Sequence, residues 1–392
     1  MTHSSSRRRW VAIAAIPLAM GLALSACASG TVSGGTGSPS ATKSGQDFSS
    51  IIPKGDIVAY SKSLVDGSLT ASKGFTPEST GPTAQKSGAH IAYVGSDLTN
   101  GGINTVLTGV QEAAKVIGWT VDVYDGKATA QGRTDALNQA IASHPAAIIA
   151  GGFDATEQSA SIAQAKSAGI PVIGWHAAAA AGPGDGLFTN VSTDPLVVSQ
   201  LAAAYAVADS NGKAGVAIFT DGQYAIAVEK ADAMKAYIEA CKSCKVLSYQ
   251  DSPIAEADQR MPGIISNLLQ QNGNKLTYLL AINGNYFGGA QSALRDAGKK
   301  PSGPPESVAA GDGDSAEFQR IRTVDYQAAT VAEPLILQGW QLVDETNRAL
   351  AGQAPSKFVA APGLITKANV PSGDVFDPAS GYRDVFKKVW GK

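Results

Sequence analysis

Ala168-Gly169-Ile170-Pro171-Val172-Ile173-Gly174-Trp175-His176 passes from the end of one element into a strand and out again. Upstream, Ile162 and Ala165 recur at helical spacing, and Gly169 stands where a left-handed residue stops a helix. Pro171 to Trp175 then reads as a short strand, with Trp175-His176 at its carboxyl end. A helix handed directly to a strand is half of a βαβ unit, so the flanking sequence decides whether the unit repeats.

It repeats on both sides. Strands are predicted at His90 to Val94, Thr120 to Tyr124 and Ala146 to Ala150. Between the first two, Ile103, Leu107, Val110, Ala114 and Ile117 follow the helical period and Gly118 ends it, while Ala136 and Ala140 mark the next helix. The pattern restarts after Asp194. Strands are expected at Ala214 to Phe219, Lys245 to Tyr249, Thr277 to Ile282, Ser307 to Ala310 and Gln327 to Val331. Helices are expected over Ala231 to Ala240, Met261 to Gln270, Tyr286 to Ala297 and Glu333 to Leu350. One sheet holding all these strands would be unusually wide, so the α/β class is expected as two doubly wound, Rossmann-like lobes. The chain is divided as lobe 1 from 87–192 plus 334–360 and lobe 2 from 193–333 plus 361–392, with a three-strand hinge near Thr193, Glu333 and Ala360.

The start of the chain is of another kind. Arg7-Arg8-Arg9 precedes an apolar run from Trp10 to Leu24, too short to span a bilayer comfortably, which reads as a signal peptide over residues 1–26. Leu24-Ser25-Ala26-Cys27 resembles a lipobox, so Cys27 is the expected lipidation site. Residues 27–45 are rich in Gly, Ser and Thr and cannot bury enough surface to offset their ordering entropy, so they read as a tether. Residues 46–86 break the βα rhythm and are taken as an extension that partly packs on the first lobe. The expected location is the extracellular face of the cell membrane.

With 31 Lys and Arg against 33 Asp and Glu in 392 residues, and no basic stripe, nucleic acid is not an expected partner. Cys241 and Cys244 are expected to form a short-loop disulfide in an oxidising exterior. A redox pair would sit at a helix N-terminus, and zinc would need further ligands. No Gly-x-Ser-x-Gly, His-Glu-x-x-His or Walker pattern occurs, so no catalytic residue, cofactor or metal is assigned.

Ile91-Ala92-Tyr93-Val94-Gly95-Ser96, Gly109-Val110, Gln131, Ala140-Ile141-Ala142, Ala168-Gly169-Ile170-Pro171-Val172-Ile173 and Ala309-Ala310-Gly311-Asp312-Gly313 together resemble the type 1 periplasmic binding proteins of the ribose-binding class. The resemblance implies a hinged, monomeric clamp that captures a small solute and hands it to an ABC transporter permease. A sensor presenting its closed form to a receptor kinase would carry the same sequence features. A signal and lipobox stand where related repressors carry a DNA-reading helix-turn-helix.

In open α/β sheets ligands bind beyond the carboxyl ends of strands. That rule nominates Asp97, Asn100, Asp154, Trp175 and His176 in the first lobe, and Asp221, Tyr224, Asn283, Asn285 and Asp312 in the second. The resemblance puts Asn100, His176, Asn283 and Asp312 near ligand-contacting positions and Glu333 at a hinge-adjacent polar site. Two departures stand out: Gly101-Gly102-Ile103 where sugar binders often carry aromatic residues, and no Arg between Gln223 and Val228. No Lys or Arg falls at a strand end, so the expected ligand is neutral and rich in hydroxyls, such as a sugar or polyol, or else a nucleoside or a cationic solute.

Overall fold

Two six-stranded sheets carry the structure, a computed structural model that describes residues 46–71 and 73–392. Cys27, the signal peptide and the tether lie outside the described residues. The account below concerns Asp47–Lys392, which forms one unit.

After a helix α1 (Ile57–Leu69), the first lobe runs β1 (His90–Gly95), α2 (Gly101–Ile117), β2 (Thr120–Asp125), α3 (Ala130–Ala142), β3 (Ile148–Gly151), α4 (Ser159–Ser167), β4 (Val172–Trp175), β5 (Gly182–Gly184) and β6 (Leu187–Val191). Its sheet has the order β2-β1-β3-β4-β6-β5, parallel except for β5. Interior strands of a parallel sheet are covered on both faces, hence their unbroken apolar runs. Alternate residues of each strand serve opposite layers. Ile91, Tyr93, Ile149 and Ile173 pack with α2, whereas Ala92, Val94, Ile148 and Val172 pack with α3 and α4.

The second lobe runs α5 (Pro195–Asp209), β7 (Gly215–Thr220), α6 (Ala225–Ala240), β8 (Lys245–Asp251), α7 (Ala257–Asn272), β9 (Tyr278–Ala281), α8 (Asn285–Asp296), β10 (Glu306–Ala309), α9 (Ser315–Thr323) and β11 (Gln327–Ala332). Helix α10 (Leu335–Leu350) returns to pack on α2, β12 (Gly363–Thr366) pairs antiparallel with β11, and α11 (Tyr382–Trp390) closes the chain. The sheet order is β12-β11-β10-β9-β7-β8.

The three expected crossings are present, after β6, at Glu333 and between α10 and β12. Two assignments need correction. Residues 361–392 do not all belong to the second lobe, because Tyr382, Phe386 and Trp390 of α11 stack into the first-lobe core around Trp340. Arg383 fixes that helix to Glu112 of α2 at 2.7 Å. The extension 46–86 is not confined to the first lobe either. Val58, Leu64 and Val65 of α1 pack on the second-lobe core, and Ser61 Oγ lies 2.8 Å from Tyr237 Oη. Phe75 enters the first-lobe core, so the extension passes from one lobe to the other. Cys241 and Cys244 are disulfide-bonded just after α6, with an S–S distance of 2.13 Å.

Candidate functional site

The carboxyl ends of both sheets face one another across a cleft of about 80 Å³, open to solvent at its mouth. Seven of the nominated residues line it: Asp97, Asn100, Trp175 and His176 from the first lobe, and Tyr224, Asn283 and Asp312 from the second. Ile103, Ile226, Ile254 and Ile282 supply apolar wall between these polar groups.

Local chain geometry sets each group. Asn100 caps α2, its Oδ1 accepting from Ile103 N at 3.1 Å, which leaves its amide N–H groups free to face the cleft. His176 and Asp312 follow β4 and β10, and both hold left-handed backbone conformations (φ 48° and 62°). Such conformations are uncommon for residues with a Cβ and tend to cluster where a side chain must be aimed. Gly101 and Gly102 open α2, and a Cβ at Gly102 would come within 2.9 Å of the Asp312 carboxylate. The absence of side chains there lets the acidic loop of the second lobe close on the helix.

Behind the cleft floor sits Glu333, fully buried at the crossing between β11 and α10. Its Oε1 receives Lys230 Nζ at 2.9 Å, and its Oε2 lies 3.0 Å from His176 Nε2 and 2.6 Å from Thr193 Oγ1. Gln338 Nε2 approaches the same oxygen at 3.3 Å, while Gln338 Oε1 accepts from Trp175 Nε1 at 2.9 Å. Trp175 in turn stacks on His176, ring centroids 4.1 Å apart. Burial alone would raise the Glu333 carboxyl, yet His176 and Lys230 hold it well below the usual range. Asp312 shows the opposite balance: burial pushes it well above the ordinary carboxylate value, and the charge of Lys230 counters this only in part. Its carboxylate accepts no hydrogen bond among the described residues.

Glu333 therefore does not line the cleft but holds two residues that do. Asn285 lies in an adjoining chamber. Asp154 and Asp221 stand apart from the lining, because their oxygens are taken up by nearby backbone. Asp154 accepts from Thr156 N and, across the lobes, from Ala225 N at 3.4 Å. Asp221 accepts from Gln223 N and Ile254 N.

Although no Lys or Arg is expected at a strand end, a basic side chain does line the cleft, that of Lys230 in α6. It lies one helical turn beyond Ile226 on α6, so attention to strand ends alone missed it; the spacing Ile226, Ala227, Lys230 on one face was the available signal. His176, Asp312 and Glu333 place donor atoms within 4.8 Å of one another, a spacing that could suit a metal ion. The Lys230 ammonium bonded to Glu333 already supplies positive charge there and opposes a second cation.

Two lobes joined by crossings, with polar groups and apolar wall meeting at the hinge, define a solute-binding clamp. The chain belongs to the periplasmic binding protein domain family, whose model matches residues 91–354, and this is a family of extracytoplasmic binding proteins rather than enzymes. Among solved structures the chain is similar to an ABC transporter solute-binding protein from Agrobacterium vitis bound with α-D-tagatopyranose (20% identity, TM-score 0.65, covering 74% of this chain and 100% of that one). It is similar also to one from Bacillus halodurans with bound myo-inositol (18% identity, TM-score 0.63, 73% and 97%). A third, from Thermotoga lettingae in complex with 5-methylthioribose, matches at 18% identity and TM-score 0.64, covering 78% and 94%. A search of curated proteins finds no significant match.

Proposed function

We propose that this chain is the solute-binding component of an ABC importer, that its ligand is a neutral, hydroxyl-rich molecule such as a sugar or polyol, and that lipid on Cys27 holds it at the outer face of the membrane. The observation that carries the reading is the unspent hydrogen-bonding capacity of the cleft. Among the described residues the buried Asp312 carboxyl accepts no hydrogen bond and the Asn283 amide N–H groups donate none, and Ile103 and Ile282 stand beside them as apolar surface. Hydroxyl groups both donate and accept, so they satisfy carboxylates and amides at once, while the C–H faces of a ring or polyol lie against the isoleucines. Lys230 is committed to Glu333, which leaves no unpaired cation in the lining to compensate a phosphate or carboxylate on the ligand. The tagatose and inositol held by proteins of the same fold support the same class. No helix among the described residues is long and apolar enough to cross a membrane, so the proposed anchor rests on Cys27.

A thermal-shift screen tests the ligand class, comparing neutral sugars and polyols with sugar phosphates and dicarboxylates. Neutral ligands should raise the melting temperature; a phosphate or dicarboxylate as the strongest stabiliser contradicts the reading.

A further inference from the structure

The cleft has a second chamber. Beside Tyr224 the lobes meet directly: Tyr224 Oη lies 3.3 Å from Ser96 Oγ, and the buried Arg133 sits 5.9 Å from the Tyr224 ring centre. With Ala225 N also bonded to Asp154, a ligand has no room to extend there. Past Asp97, Asn100, Ile254 and Ala255, which wall both spaces, the cleft opens into a chamber of about 260 Å³ with its own polar lining.

That lining has unspent capacity. Asp314 is 9% exposed, and its Oδ1 caps α9 through Glu317 N at 2.9 Å. Its Oδ2 accepts no hydrogen bond among the described residues and sits over Gly101, where a Cβ would approach to 2.5 Å. Asp258 reaches in from α7 and Asn285 from α8. The basic member, Arg320, already donates to Gln327 Oε1 at 2.8 Å and Gly284 O at 2.9 Å. Three carboxylates, of Asp97, Asp258 and Asp314, thus face one committed guanidinium, a balance that disfavours an anion and suits hydroxyls or an amine.

We propose that the ligand has two units: one ring in the inner cleft, and a second hydroxyl- or amine-bearing ring in the outer chamber, as in a neutral or amino disaccharide. This rests on the sugar-binding reading above and extends it. Calorimetry on the full chain tests it, with lactose, melibiose, cellobiose and trehalose set against glucose and galactose. At least one disaccharide should bind about tenfold or more tightly than either hexose it contains. Ala316→Trp, which fills the outer chamber from an exposed position, and Asp258→Ala should each weaken that disaccharide about fivefold or more while leaving hexose affinity unchanged. Hexoses binding as tightly as disaccharides, or disaccharide affinity indifferent to both variants, would show the chamber to be a passage rather than a subsite. Binding of neither class would contradict the sugar reading itself, and this proposal with it.

Discussion

Lys230 Nζ and the Glu333 carboxylate stand 2.9 Å apart, with almost no exposure of either side chain, and that pair is where the second lobe meets the crossing segment. His176 brings the first lobe to the same carboxylate at 3.0 Å. The ion pair is thus a joint between lobes, set just behind the cleft that Lys230 and His176 line.

Removing one charge of a buried pair leaves the other without compensation, which costs about 3–5 kcal/mol, whereas removing both is far milder. Glu333→Gln should therefore lower the urea midpoint markedly, and Glu333→Gln combined with Lys230→Met should recover most of the loss. Equal midpoints for the single variant and the parent chain would show that the pair contributes nothing.

Among the described residues no group donates a hydrogen bond to the Asp312 carboxyl, so its removal should be felt by the ligand. Asp312→Ala should weaken binding of the best neutral ligand by about 1–3 kcal/mol, the cost of leaving a ligand hydroxyl buried without its partner. Titration calorimetry on that variant with unchanged affinity would mean that the ligand sits elsewhere.

Several buried or half-buried acids make stability depend on pH. Burial pushes Glu306, Glu317 and Glu345 up to about 7 from an ordinary value of 4.5. Between those values the folded chain holds protons that the unfolded chain has released, so stability falls as pH rises through that window. Glu333 acts in the opposite sense, but its stabilising share is lost only below the ordinary carboxylate range. The melting temperature should decline from about pH 5 to about pH 8, less steeply in Glu306→Gln and Glu345→Gln. A flat or rising profile contradicts the assignment.

On the proposed anchoring, Cys27→Ser should release the protein from the membrane fraction without altering ligand affinity, since a run rich in Gly, Ser and Thr stands in sequence between that residue and the lobes. A variant that stays in the membrane fraction would show that the anchor lies elsewhere.

The sequence made the interior strands legible because parallel strands buried on both faces must be apolar throughout, as in Ile148–Gly151 and Val172–Trp175. Helix α5 escaped for the related reason that Pro195–Asp209 is covered almost all round, so no polar face gives it a helical period. Strand β5, Gly182–Gly184, reads Gly-Pro-Gly, a turn signal with no β-branched or aromatic residue to announce a strand. Tyr382, Phe386 and Trp390 do repeat at helical spacing, but which lobe they serve depends on the route of the chain and not on the pattern. In the cleft, groups on strand ends and first turns were found by the rule for open sheets. Lys230, deeper on α6, needed the packing of α6 against the crossing at Glu333 to bring it into place.

The clamp itself is tested most directly by small-angle X-ray scattering of the full chain with and without its tightest neutral ligand. Polar groups on both lobes converge on the cleft, so ligand should draw the lobes together about the crossings at Thr193, Glu333 and Ala360. A smaller radius of gyration with ligand bound is the predicted result; profiles that superimpose at saturating ligand would contradict the account.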